Sequence, residues 1–356
     1  MKLLERARPE ILDLQPYSSA RMEARSRGVM LNANESPWAP VGNDASTLNR
    51  YPDPQPTALR VTLAELYGVA PERVLIGRGS DEAIDLLVRA FCREGRDAIV
   101  ISPPTFGMYA VAARIQGAAV IEVPLAADFG VDADALLAAV TEDTKLVFLC
   151  TPNNPTGNLL PLTVIARLAD ALQDRALLVV DEAYLEFADG APSAIILQQR
   201  HENIAVLRTL SKAYGLAGAR VGALVADARI VSLLRRIQAP YPLPAPSVSA
   251  ALTALSSVAV AESGVRIDIL RSERERLTVA LTAARGVLAV YPSSANFLCV
   301  RFVDAASTYA RLLDHGLVVR EVSAYPQLEG CLRITIGTPN ENAQLLAALG
   351  LREAAA

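Results

Sequence analysis

The stretch Leu177-Leu178-Val179-Val180-Asp181-Glu182-Ala183-Tyr184 decides the fold. A continuous apolar run that stops abruptly at two carboxylates describes a strand with a buried body and a polar end. The pattern recurs. Val74-Leu75-Ile76, Ala98-Ile99-Val100-Ile101, Val120-Ile121-Glu122-Val123, Leu146-Val147-Phe148-Leu149, Ala205-Val206-Leu207 and Val221-Gly222-Ala223-Leu224-Val225 are separated by helical patterns. Continuous runs alternating with helices are strands buried on both faces. The expectation is an α/β fold with a mostly parallel seven-stranded sheet sandwiched by helices.

Working outward, residues 237–261 carry no charge and are long enough to suggest a membrane span. Pro240, Pro242, Pro244 and Pro246 exclude it, because such a series cannot continue a helix. From Ser247 onward a short Ala/Ser/Leu helix is expected, buried against another domain or subunit. A long helical region follows, then strand candidates at 297–302 and 332–336 and a closing helix over about 341–349, which together read as a smaller α+β lobe. The turn-rich start has no sheet pattern. The expected division is an N-terminal arm at 1–44 packing on the small lobe or a partner chain, a large domain at 45–246 and a small domain at 247–356.

Composition narrows the partners. Of 356 residues, 52% are hydrophobic and 20% charged, which marks an ordinary globular chain. The net charge of -4, from 34 basic and 38 acidic residues, forms no basic stripe for nucleic acid. Cys92, Cys150, Cys299 and Cys331 are far apart and make no CxxC pair, so reduced thiols in a cytoplasmic setting are expected. The charged start Met1-Lys2-Leu3-Leu4-Glu5-Arg6 leaves no apolar region for a signal peptide. With only His201 and His315, neither a histidine metal site nor a hydrolase triad has enough material, and no metal is expected.

In an open parallel sheet, ligands bind beyond the carboxyl ends of the strands, so the residues just past each strand are informative. Gly77-Arg78-Gly79-Ser80-Asp81-Glu82 lies past one; Thr151-Pro152-Asn153-Asn154-Pro155-Thr156-Gly157, Asp181-Glu182-Ala183-Tyr184 and Arg208-Thr209-Leu210-Ser211-Lys212 lie past others. Ser211, Lys212 and Arg220 offer the hydroxyl, amine and guanidinium that a covalently held phosphate cofactor needs. A lysine near other cations has a lowered pKa and can form a Schiff base, although most lysines are solvated surface charges. Asp181, at the end of a buried strand, needs a cationic partner. A protonated pyridine nitrogen is one, while an arginine or a helix N-cap would serve equally well. Asn154 and Tyr184 could hydrogen-bond a phenolic oxygen, although the Asn-Pro-Thr-Gly segment is first of all a turn. Ser80 and Asp81 could cradle a phosphate at a helix start or simply cap it. Phe106 could stack on an aromatic ring or belong to the core. Gly77-x-Gly79-x-x-Glu82 lacks the third glycine of a dinucleotide site.

Taken in order, Asn154-Pro155-x-Gly157, Asp181-Glu182-Ala183-Tyr184, Ser211-Lys212 and Arg220 resemble the signature of the aspartate-aminotransferase-like, fold-type I pyridoxal-phosphate enzymes of class II. Finer matches are similar to the histidinol-phosphate aminotransferases: Leu31-Asn32-Ala33-Asn34-Glu35, Arg50-Tyr51-Pro52-Asp53-Pro54-Gln55-Pro56, Ser102-Pro103-Pro104-Thr105-Phe106-Gly107-Met108-Tyr109, Ala239-Pro240-Tyr241-Pro242 and Gly330-Cys331-Leu332-Arg333-Ile334-Thr335. The likeness covers nearly the whole chain. It implies pyridoxal 5'-phosphate as cofactor and Lys212, Asp181 and Tyr184 as catalytic residues. Lys212 would carry the cofactor as a Schiff base and Asp181 would pair with the ring nitrogen. Asn154 and Tyr184 would hold the phenolic oxygen, with Phe106 stacked on the ring. Ser80, Asp81, Ser211 and Arg220 would hold the phosphate, with Tyr51 reaching across to the neighbouring subunit's cofactor in a homodimer with shared active sites. Tyr17, Asn34, Arg320 and Arg333 would bind substrate.

The implied reaction transfers the amino group of L-histidinol phosphate to 2-oxoglutarate, giving imidazole acetol phosphate and glutamate in histidine biosynthesis. An aromatic amino-acid aminotransferase, a threonine-phosphate decarboxylase and a non-catalytic regulatory module share the machinery and are its rivals. The stacking position, often tyrosine in this family, is Phe106 here, so a hydroxyl contact is lost.

Overall fold

In a computed structural model, residues 2–15, 31–42 and 47–351 are described. Seven strands form the larger sheet: β1 (Val74–Gly77), β2 (Ala98–Ile101), β3 (Ala119–Glu122), β4 (Thr144–Cys150), β5 (Leu177–Asp181), β6 (Ile204–Thr209) and β7 (Gly222–Val225). Their spatial order is β1-β7-β6-β5-β4-β2-β3, with β7 antiparallel to both neighbours and every other pairing parallel. The carboxyl ends of β1 to β6 therefore meet the amino end of β7 along one edge.

The helices among the described residues are α1 (Pro9–Leu12), α2 (Thr57–Tyr67), α3 (Ser80–Phe91), α4 (Met108–Gln116), α5 (Ala133–Ala139), α6 (Leu162–Leu172), α7 (Ala228–Arg235), α8 (Ala245–Ala254), α9 (Ser257–Thr282), α10 (Ala305–Asp314) and α11 (Pro339–Ala348). Strand β4 explains why the strands read as unbroken apolar runs. Leu146 and Phe148 pack with Leu87, Phe91 and Tyr109 from α3 and α4 on one face. Val147 and Leu149 pack with Ile165, Leu168 and Leu172 of α6 on the other. With period-2 alternation and helices on both sides, both faces of the strand's middle are lined by apolar residues, and the buried Lys145 at its start is paired with Asp97. Each such fully buried Leu or Phe contributes about 2 kcal/mol. Edge strand β3 departs from this, being exposed or half-buried throughout because only β2 pairs with it.

The smaller sheet, ordered β10-β11-β9-β8, comprises β8 (Val287–Val290), β9 (Phe297–Phe302), β10 (Arg320–Glu321) and β11 (Cys331–Thr335). Leu298, Val300, Leu332 and Ile334 cover a core with Leu277 and Leu281 of α9 and Leu345 and Leu346 of α11. Two of these four strands, β8 and β10, were not expected. Helix α8 starts two residues earlier than read from the sequence, with Pro246 in its first turn, where the missing N–H is harmless. It buries only Ala251 rather than a whole face. Among the described residues no single helix is long and apolar enough to cross a membrane, and α8 and α9 meet at 72°.

The start of the 1–44 arm packs on its own chain. Leu3 and Ala7 are buried in the cluster around Ile84 and Phe91, and Arg8 N donates to Ala90 O at 2.9 Å. This part lies on the helices of the larger sheet, not on the smaller lobe, because its few apolar residues find their nearest apolar cover there. Tyr17 lies outside the described residues.

Candidate active site

One cleft at the strand-end edge is lined by Ser80, Asp81, Phe106, Asn154, Asp181, Tyr184, Ser211, Lys212 and Arg220, all nine of which the sequence singles out. Cys150, Ala183 and Thr209 complete it, and the sequence reading missed them. Cys150 is the terminal residue of β4 and sits opposite Asp181 in the register. Its position could have been read from the strand pairing, but its thiol carries no distinctive sequence signal.

The phosphate-sized part of the cleft is a helix start. Gly79, with φ 78°, precedes α3 as its N-cap residue, and no side chain caps the helix. Simple capping by Ser80 or Asp81 is therefore not what the chain does: both lie within the helix. No described group accepts from the backbone amides of Ser80 or Asp81, so they remain available to an anion. A Cβ on Gly222 would stand 2.5 Å from Ser80 N, so only glycine lets β7 pass this close. Arg220, held at φ 56°, lays Nη2 3.1 Å from Asp81 Oδ2 and Nη1 3.4 Å from Ser211 Oγ. Two hydroxyls, a guanidinium and open amides surround one small volume, a donor set that fits a phosphate.

At the next strand end, Asp181 and Glu182 divide. Glu182 accepts from Arg208 Nη1 at 2.9 Å, Ser193 Oγ at 2.6 Å and Ala194 N at 2.6 Å. The second arm of Arg208 reaches Glu186 at 2.7 Å. The arginine at this strand end thus pairs with the neighbour of Asp181. Asp181 is buried and, among the described residues, accepts from Tyr109 Oη at 2.7 Å and Ala183 N at 3.1 Å alone. Burial pushes its carboxyl up to about 6, with no cation bonded to it among the described residues. A protonated ring nitrogen in the cleft would supply the missing charge.

Lys212 leaves the sheet by a turn in which Ser211 N donates to Thr209 Oγ1 at 3.1 Å. Its amine faces the cleft 5.6 Å from the Tyr184 ring centre. Partial burial lowers its proton affinity, and the Arg333 guanidinium lowers it further, which favours the nucleophilic free amine. Tyr184 is buried with its phenol pushed upward by burial, and Asn154 Nδ2 donates to its oxygen at 3.3 Å. Asn153 takes the structural role in the preceding turn, bonding Pro104 O at 2.9 Å and Thr105 Oγ1 at 3.0 Å, which leaves Asn154 to face the cleft. Phe106 is half-buried beside Tyr109, edge to face at 5.6 Å.

The expected substrate residues separate. Arg333, on β11, donates from Nη1 to Asn154 Oδ1 at 2.5 Å and so enters the site from the smaller sheet. Arg320 pairs with Arg333 across β10 and β11 but is exposed. Asn34 and Tyr51 line a different depression, where Tyr51 stacks on Tyr241 at 4.4 Å and its backbone N donates to Glu35 at 2.7 Å. No cluster of metal-ligand type occurs among the described residues.

Residues 21–349 match the family described as aminotransferase class I and II. The chain is similar to a histidinol-phosphate aminotransferase from Xanthomonas campestris pv. campestris, 53% identical over 360 residues and 99% of each chain. One from Stenotrophomonas maltophilia is 52% identical over 99% of this chain and 98% of its own length. Among solved structures, histidinol-phosphate aminotransferase from Sinorhizobium meliloti in complex with pyridoxal-5'-phosphate has a TM-score of 0.78 at 29% identity, covering 96% of both chains.

Proposed function

The chain belongs to the class I and II aminotransferases, and from that premise we propose that it transfers the amino group of L-histidinol phosphate to 2-oxoglutarate, using pyridoxal 5'-phosphate. The products are imidazole acetol phosphate and glutamate, a step of histidine biosynthesis. The observation that carries the reading is a single cleft that joins an uncompensated buried carboxylate, an amine of lowered proton affinity and an open anion cradle.

When bound, pyridoxal phosphate supplies an electron-accepting ring and a carbon to which amines attach covalently. Lys212 Nζ would anchor the cofactor and, as a free amine, would take the proton from the carbon bearing the amino group and later return it. Asp181 would keep the ring nitrogen protonated, Tyr184 and Asn154 would hold the phenolic oxygen, and Phe106 would cover the ring. Ser80, Ser211, Arg220 and the first amides of α3, including that of Asp81, hold the phosphate. Arg333 binds the anionic end of the substrate, with Arg320, Asn34 and Tyr17 assigned to the same task.

The reading extends to a homodimer with shared sites. Tyr51 is half exposed and lies outside its own chain's Lys212 cleft, which fits a role at the phosphate of a neighbouring subunit. The four buried free thiols fit the cytoplasm. The arm at 1–44, large domain at 45–246 and small domain at 247–356 are retained as the working division.

The test has two parts. Borohydride reduction of the holoenzyme should give a covalent adduct mapping to Lys212, and Lys212→Ala should lower turnover at least a thousandfold. Normal steady-state turnover by that variant would refute the assignment. A side-by-side comparison of histidinol phosphate, phenylalanine and threonine phosphate should show the first reacting fastest, and equal or faster use of either rival would overturn the substrate.

A further inference from the structure

Asp181 raises a problem of its own. A carboxylate can stabilise a ring cation only if it is ionised and if its free lone pairs point at the cleft, yet burial opposes the first and side-chain rotation the second. Among the described residues the side chain has one polar side-chain partner, Tyr109, and one backbone partner, the amide of Ala183. Tyr109 is fully buried and rigidly held. Its ring stacks on Phe148 at 4.7 Å with planes 14° apart, and Phe106 meets it edge-on.

We propose that Tyr109 is a positioning residue for this chemistry: its hydroxyl fixes Asp181 Oδ2 from behind, turning the remaining lone pairs toward the cleft and supplying the hydrogen bond that the anion needs. The inference rests on the proposed cofactor and goes beyond it by assigning a task to a residue outside the cleft lining. Burial and the facing Asp181 hold the Tyr109 phenol well above its ordinary value, so it stays protonated and can only donate to the anion. It is also the largest influence favouring ionisation of Asp181, ahead of Ala183 N. The other ionisable groups around Asp181 are Asp81 of α3, Glu182, Cys150 at the end of β4, Tyr184 and Lys212. Asp81 and Glu182 oppose its charge, so neither replaces Tyr109.

Tyr109→Phe removes the hydroxyl and keeps the stacked ring. In apo-protein, urea unfolding should show a destabilisation relative to the unsubstituted chain that grows about tenfold in the unfolding constant from pH 5 to pH 8. In an Asp181→Asn background the same substitution should give a pH-independent change. Titration of apo-protein with pyridoxal phosphate at pH 8 should show Kd raised about tenfold by Tyr109→Phe. A merely structural tyrosine would shift stability equally at both pH values in both backgrounds and leave Kd unmoved, and that result would overturn the proposal. Failure of the unsubstituted protein to bind pyridoxal phosphate would instead sink the proposed function, while the apo-protein comparison would still judge Tyr109.

Discussion

Replacing Asp181 by Asn in the apo-protein should make the folded state less sensitive to rising pH. The carboxyl is buried and its ionisation is raised to about 6 from an ordinary 3.8. Well below pH 3.8 it is protonated in folded and unfolded chains alike and has no effect. Between pH 4 and pH 6 the unfolded chain loses the proton first, so stability falls. Above pH 6 the folded form ionises too and the loss becomes constant, at about 3 kcal/mol from a shift of roughly two units. Roughly half of that loss develops above pH 5. Asn preserves the shape, accepts from Ala183 N and cannot ionise. Urea unfolding of both apo-proteins at pH 5 and pH 8 therefore reads the group directly. The Asn variant should gain on the unsubstituted protein as pH rises, and saturating pyridoxal phosphate should abolish the slope in the unsubstituted protein by supplying the cation. A difference between the two apo-proteins that stays flat across this range would refute the reasoning.

Gly222→Ala should force the Gly79–Ser80 backbone away and raise the Kd for pyridoxal phosphate at least tenfold, while far-ultraviolet circular dichroism stays unchanged; unaltered affinity would show that the cradle has slack. Arg208→Ala should strip Glu182 and Glu186 of their cation and cost about 3 to 5 kcal/mol by denaturant unfolding. Mixing inactive Lys212→Ala chains with inactive Tyr51→Phe chains should restore partial activity, because a mixed dimer contains one intact site; no recovery at all would count against sharing.

The larger sheet was legible because each strand's apolar run ends where the burial ends, so polar residues mark the edge without any knowledge of pairing. The same rule found Asp181, Asn154 and Lys212. It could not find Tyr109, since a tyrosine inside a helix reads as core until the helix is docked and its hydroxyl is seen to meet a carboxylate 72 residues away. Arg208 was hidden for a related reason: its two carboxylate partners come from a neighbouring strand end and a short 3-10 turn. Strands β8 and β10 escaped notice because they are four and two residues long, with β8 mostly half-buried and β10 exposed. Which of two adjacent carboxylates takes the arginine is a matter of side-chain direction at a strand end, where strand alternation sends neighbours to opposite sides.

Lys212 is carried by the larger sheet and Arg333 by the smaller, and the two frames meet through Arg333 and Asn154, Ser294 N and Gly157 O, and the Tyr184 and Phe297 rings. The gap between amine and guanidinium is thus a calliper whose jaws belong to separate bodies. On the proposed roles of Lys212 and Arg333, a substrate would be gauged by the span from its amino carbon to its anion, and that span would be set by how the two sheets seat on one another. A change in their seating, far from either jaw, would regauge the enzyme for a longer or shorter molecule without altering a single residue that touches it.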